Sequence, residues 1–173
     1  MMNLDMNMPK KCSFFTAIVV LSLVNILTCP TTVNAQTQTT VCRGAIANAK
    51  TRVQRIPNVL IEQVWTRNNN ELYSNVPTGR PLEYIFYLTG PKRNGLIVEA
   101  GIKKIENSPQ FIKGISQEII NNCSSVSSVS FGSVLAPGCS ITFGLMSDGA
   151  VKAFQDVDAS DGRQLKWGES FCN

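Results

Sequence analysis

The sequence predicts an α+β domain, a mainly antiparallel sheet with two amphipathic helices packed on one face. Three observations carry this. Apolar residues recur every four positions from Val41 to Val53, and at helical spacing from Phe111 to Ile120. Between and after these stretches the period falls to two, most plainly in residues 82–89. Turn residues separate successive strands closely enough for hairpins, which pair antiparallel, whereas parallel pairs need long crossovers.

Residues 36–40 are polar and are expected to fray. A helix follows over residues 41–55. Val41, Ala45, Ala49 and Val53, with Ile46 beside them, form its stripe; Thr39 or Thr40 caps it and Pro57 stops it. Residues 58–66 read as a strand with Val59, Ile61 and Trp65 on one face, interrupted by Gln63, and residues 67–70 as a turn. Residues 77–81 break the chain again. In the strand at 82–89, Leu82, Tyr84, Phe86 and Leu88 point one way and Glu83, Ile85, Tyr87 and Thr89 the other.

Residues 90–95 form a hairpin loop into a strand at 96–100, which residues 101–106 extend. Ser108 and Pro109 open the second helix as N-cap and first helical residue. Phe111, Ile112, Ile115, Ile119 and Ile120 are its apolar face, and Asn121 and Asn122 end it. Three strands follow, at 126–132, 141–147 and 151–155, the last two joined by a two-residue turn at Asp148-Gly149. Residues 156–163 are a polar loop, and residues 166–172, with Trp167, a closing strand.

The first 35 residues read as a cleaved secretory signal. Lys10 and Lys11 precede a 15-residue uncharged stretch, Ser13 to Leu27, short of the roughly 20 residues a membrane span needs. Val33 and Ala35 supply the small residues of a cleavage site, so the mature chain is expected to be residues 36–173, one domain in an extracytoplasmic (periplasmic or secreted) compartment. Cys29 is a poorer lipidation site, because Thr28 before it is larger than the Gly, Ala or Ser wanted there.

Cys12 and Cys29 leave with the signal. Cys42, Cys123, Cys139 and Cys172 remain, an even number that suggests two disulfides in an exported chain. If strands 126–132 and 141–147 form a hairpin, Cys123 and Cys139 lie roughly 25–30 Å apart, beyond disulfide reach. Of the other two pairings, Cys42–Cys123 with Cys139–Cys172 is preferred. Antiparallel helices bring the start of the first beside the end of the second.

Gly79-Arg80-Pro81 before a Tyr/Phe-rich strand, Asn107-Ser108-Pro109 opening a helix and Ile119-Ile120 before Cys123 form a recurring order. Val129-Ser130-Phe131-Gly132, Phe143-Gly144-Leu145-Met146 with Asp148-Gly149, and Trp167-Gly168 before Cys172 complete it. In this order the chain resembles a family of small exported cyanobacterial proteins with no assigned activity. The resemblance implies fold and export. It names no catalytic residue, and it carries over no disulfide, since the pattern is departed from near Cys139 and after Phe154.

Of 173 residues, 43% are hydrophobic and 16% charged, and the formal net charge is +4. A packed core is therefore expected, and the charge is too small to indicate a nucleic-acid partner. The chain has no histidine. That excludes Ser-His-Asp and Cys-His catalysis and every His-liganded metal site.

Asp156, Asp158 and Asp161 alternate like calcium ligands, but an EF-hand starting at Asp156 needs Gly at its sixth position and Glu at its twelfth, where Asp161 and Trp167 stand. No metal site, cofactor or catalytic residue is expected. Ser116 follows Lys113 in the reverse of the Ser-x-x-Lys order. A carboxylate pair remains open to Glu62, Glu83 and Glu99 on predicted strands and Asp148, Asp158 and Asp161 in loops, each also readable as a surface charge. Arg43, Lys50, Arg52 and Arg55 make the first helix basic without an acid of its own, a face suited to a weak anionic partner. Lys92-Arg93 and Lys103-Lys104 are shorter pairs of the same kind. The expected role is a non-catalytic binding or interaction module at the cell surface or in the periplasm; the alternative is a small hydrolase using two carboxylates.

Overall fold

The computed structural model describes residues 34–159 and 162–172. They lie in one compact unit, Thr32–Asn173. The segment expected to be a signal sequence, apart from Asn34 and Ala35, and Asp161 of the acidic loop lie outside the described residues.

In chain order the elements are α1 (Asn34–Gln54), β1 (Leu60–Asn68), a short 3-10 turn (Asn69–Glu71), β2 (Tyr73–Ser74) and β3 (Leu82–Thr89). Then come β4 (Lys92–Arg93), β5 (Leu96–Ile97), α2 (Ala100–Glu106), α3 (Pro109–Asn122) and β6 (Val126–Ser133). β7 (Ser140–Leu145), β8 (Val151–Ala153), β9 (Gln155–Asp156), β10 (Leu165–Lys166) and β11 (Glu169–Ser170) close the chain. The main sheet has the order β1-β3-β6-β7-β8, antiparallel except at β3–β6. That one parallel pair needs a crossover, and α2 with α3 supply it. The α+β class predicted from periodicity holds, with a third helix added.

The core lies between the helices and one sheet face. Ile112, Ile115, Ile119 and Ile120 of α3 are fully buried against Ala49 and Val53 of α1 and against Tyr84, Phe86, Leu88, Val129 and Phe143. Phe86 and Phe131, opposite each other in register, stack at 5.0 Å. Each such side chain contributes about 1.5–3 kcal/mol by leaving water. Arg80 closes the C-terminal end of α3, donating to the carbonyls of Ile120 (2.5 Å), Cys123 (3.0 Å) and Ser124 (2.9 Å). A cation there meets the negative end of the helix dipole and orphan carbonyls together.

Several expectations are corrected. Residues 36–40 belong to α1 rather than fraying. Val41 is 45% exposed, and its neighbour Cys42 turns inward to bond Cys123. Residues 101–106 form α2, not an extension of the preceding strand, which ends at Ile97. Ile102 and Ile105, three apart, are both buried. Gly101 admits this packing: a Cβ there would lie 2.5 Å from the Pro57 carbonyl oxygen. Ser108 occupies the N-cap of α3, yet its hydroxyl donates back to the Lys104 carbonyl at 2.7 Å instead of capping. The hairpin between β7 and β8 is one residue longer than predicted. Met146 N–H bonds the Ala150 carbonyl around Ser147, Asp148 and a left-handed Gly149.

The closing strand is two short pieces. β10 pairs parallel with β2, and β11 pairs parallel with β9. They carry a second apolar cluster of Tyr73, Phe154, Ala159 and Leu165, with Trp167 and Phe171 beside it. It rests on the sheet at Gly144, where any Cβ would collide with the rings of Phe154 and Trp167. The structure bonds Cys42 to Cys123 and Cys139 to Cys172, each pair with Cα atoms 4.6 Å apart. This is the preferred pairing.

Candidate functional site

The site begins with a register shift. Ile61 pairs with Leu88, but the next partner, Tyr87, faces Gln63, so Glu62 is the extra residue of a bulge. A one-residue slip reverses every later side chain. Val64 therefore packs on the helix-side core. Trp65, expected to share the face of Val59 and Ile61, lies on the opposite face and is 41% exposed. There it meets Tyr87, with ring centroids 6.0 Å apart and planes tilted by 52°. Gln63 interrupting the alternation was the only sequence signal of this change.

Arg67, read as a turn residue, is still in β1 and faces Glu83. Its Nε and Nη2 donate to Glu83 Oε2 at 2.9 and 2.6 Å. Glu83 is not the surface charge its strand position suggested; its side chain is fully buried, while that of Arg67 is 39% exposed. The other carboxylate oxygen, Oε1, accepts a short bond from Ser130 Oγ. Ser130 and Thr142 hydroxyls lie 2.6 Å apart. A hydroxyl has one proton. Ser130 gives its own to Glu83, so Thr142 is the donor to Ser130. Thr142 then accepts from Ser140 at 3.4 Å. The result is one directed chain from Ser140 through Thr142 and Ser130 to Glu83, with Arg67 closing it. Deeper in the same face, Asn69 is buried and donates to Ser127 (2.8 Å) and Ser128 (3.0 Å).

Above this network Trp65, Tyr87, Ile85, Arg67, Ser130 and Ser140 line a cleft of about 180 Å³, with Gly132, Gly138 and Cys139 along its other side. Gly132 leaves room for Tyr87: a Cβ would sit 3.3 Å from that ring. The cleft thus has aromatic walls, guanidinium donors and a hydrogen-bonded floor.

Tyr73, behind the same network, has its phenol pushed well above the ordinary tyrosine range. Burial is the main cause and the Glu83 charge adds to it, while Arg67 acts the other way. The unfolded chain releases this proton near pH 10 and the folded chain holds it. Tyr73 therefore supports the fold fully below about pH 10, and that contribution is lost as pH rises further. Urea unfolding at about pH 9 and about pH 11 should show stability falling by up to about 1.4 kcal/mol per pH unit from this group. Tyr73→Phe should flatten the decline, with Tyr84, also raised by burial, keeping a residual slope. Equal slopes in the two proteins would contradict this assignment.

The remaining candidate residues are dispersed. Glu62 is the exposed bulge residue. Glu99 precedes α2 and pairs with Lys103 at 2.6 Å, rather than lying on a strand. Asp148 holds its turn through Ala150 N–H and Lys152. These bonds lower the Asp148 carboxyl below the usual range, with Lys152 the largest cause. Asp156 accepts from Ser170 at 2.5 Å, and Asp158 is exposed. Among the described residues no group of three or more Cys, Asp or Glu side chains is arranged to hold a metal ion. Ser116 is buried in α3.

Two acids do line a common cleft, though not a pair considered from sequence. Glu106 and Asp156 line one cleft of about 350 Å³ with Asn107, Phe131, Phe171 and the Cys139–Cys172 bridge. Glu106 accepts from Ser133 at 2.8 Å. Glu106 was not among the acids named from sequence; it ends α2, where residues 101–106 read as a strand extension.

Of the basic residues of α1, Arg52 is not without an acid. It bonds Glu118 of α3 at 2.9 Å and lies 5.6 Å over the Phe111 ring. Arg43, Lys50 and Arg55 remain at the surface or half-buried. No helix among the described residues is long and apolar enough to cross a membrane. Comparison with family models, curated proteins and solved structures finds no match.

Proposed function

We propose that this disulfide-stapled α+β domain is an exported, non-catalytic binding module that engages its ligand through the Trp65–Tyr87–Arg67 cleft. One observation carries the reading. The Glu62 bulge turns a tryptophan out of the core and sets it beside a second aromatic and an arginine, over a hydrogen-bonded floor. Bulges commonly re-aim side chains at functional sites. Tryptophan, tyrosine and arginine are also the residues that most often anchor binding. Two disulfides and the predicted signal sequence support an extracytoplasmic setting. Membership in the resembling family of exported cyanobacterial proteins is part of the proposal.

A second reading, hydrolysis by two carboxylates, is favoured by Glu106 and Asp156 sharing one cleft. Turnover of a glycan that Glu106→Gln and Asp156→Asn each abolish would establish it.

The export half is tested by recovering the protein from the extracytoplasmic fraction and sequencing its N-terminus. Gln36 is the expected first residue, with no free thiol at Cys42, Cys123, Cys139 or Cys172. A retained Met1, a lipidated Cys29 or reduced thiols would overturn it.

A further inference from the structure

We infer that the Trp65–Tyr87–Arg67 cleft takes a single ring of a neutral, polyhydroxylated ligand, the end or one unit of an uncharged glycan. This rests on the reading of the chain as a binding module and names the ligand of the same site.

The first argument is charge. Among the described residues Arg67 carries the only cationic group lining the cleft, and two of its N–H groups are spent on Glu83. Glu83 is buried and bonded to Arg67 at 2.6 Å, so the pair presents no net charge to a ligand. A phosphate or carboxylate would meet a guanidinium whose charge Glu83 already offsets. A cationic ligand would meet guanidinium N–H groups. Both classes are disfavoured on these grounds.

The second argument is the direction of the hydrogen bonds. Nη1 of Arg67 is not among the atoms that bond Glu83, so its N–H groups are left to donate. Ser140 lines the cleft, and toward Thr142 it can only donate, because the Thr142 proton goes to Ser130; its own oxygen is left able to accept. The cleft therefore offers a donor and an acceptor together. An anion can only accept and an ammonium can only donate. A hydroxyl does both.

The third argument is shape. Trp65 and Tyr87 stand at 52°, an open wedge rather than a closed stack. Such walls suit a saturated ring, whose C–H face lies on the indole while its hydroxyls reach the polar side. The cleft, at about 180 Å³, lies below the roughly 300–1,000 Å³ of pockets that enclose larger ligands. It holds one ring. A peptide amide also donates and accepts, and β1 is an edge strand, but an extended peptide uses several side-chain pockets and this cleft is a single one of about 180 Å³.

The experiment is affinity electrophoresis of the oxidised, signal-free chain in native gels. The gels contain neutral glucan, neutral mannan, neutral galactan or, for comparison, polygalacturonate. Retardation by at least one neutral polysaccharide is expected, and raising the salt should leave it unchanged. Trp65→Ala should weaken it at least tenfold and Ser140→Ala several-fold, with a cooperative thermal melt in each variant showing that the fold is kept. Retardation by polygalacturonate alone, or retardation removed by salt, would overturn the charge argument. Binding unchanged in Trp65→Ala would overturn the site. Mobility unaffected by every neutral glycan would overturn the ligand class. That failure is distinct from failure of the binding-module reading, which stands if polygalacturonate retards the parent and Trp65→Ala abolishes the effect.

Discussion

Replacing Cys42 and Cys123 together by alanine is expected to lower stability by about 4.5 kcal/mol, the largest effect of any two-residue change considered. The bridge closes a sequence separation of 81 residues, from the third turn of α1 to the residue that ends α3. In the chain-entropy account its main action is on the unfolded state, which loses the freedom of that loop. The Cys139–Cys172 bridge closes a separation of 33 and should contribute less, about 3.8 kcal/mol. Against the roughly 5–15 kcal/mol that holds a typical domain together, the first loss is near the margin of folding. Cys123 is buried, so the alanine also leaves a small void against the α3 isoleucines. Urea unfolding of the two double variants beside the parent checks both values and their order. A loss below about 1 kcal/mol for the first pair would show the denatured chain to be compact enough for the bridge to constrain little.

Arg67→Ala should cost about 3 kcal/mol. Removing one partner of a buried ion pair strands the other, which costs about 3–5 kcal/mol. The lower end applies because water reaches Arg67 while none reaches Glu83. The stranded carboxylate keeps only its bond from Ser130. The double replacement Arg67→Met with Glu83→Leu should recover most of the loss, since an apolar pair of similar volume leaves no charge buried. Ser130 and Thr142 would still satisfy one another. Thermal unfolding of single and double variants gives the comparison. An Arg67→Ala protein as stable as the parent would mean that Glu83 needs no cation, and would remove the floor from beneath the proposed site.

The parts of this protein that were legible in its sequence are those where one residue's fate depends on near neighbours. The isoleucine stripe of α3 and the alternation of β3 each repeat over two turns or more. Their periods therefore survive any packing that buries one face. The hairpin after β7 was legible for the same reason, since Gly149 supplies the left-handed conformation locally. α2 was not, because seven residues hold too few repeats, and its close packing against Pro57 at Gly101 is a contact with a distant segment. The paired sites were hidden as well. Glu83 and Arg67 are sixteen residues apart, and Glu83 and Ser130 forty-seven.

Periodicity and composition alone were enough for the α+β class and for which helix and strand faces could form a core. The sequence also narrowed the disulfides to the pairing that antiparallel helices allow. Only the tertiary structure decided that Trp65 faces outward, that Glu83 is buried, and that Ser140, Thr142 and Ser130 form a directed chain. The physical reason is the same in each case. A bulge costs one residue and changes no composition, yet it reverses the faces of everything after it in the strand. A charge is buried or solvated according to a partner brought from elsewhere in the fold, which no local pattern encodes.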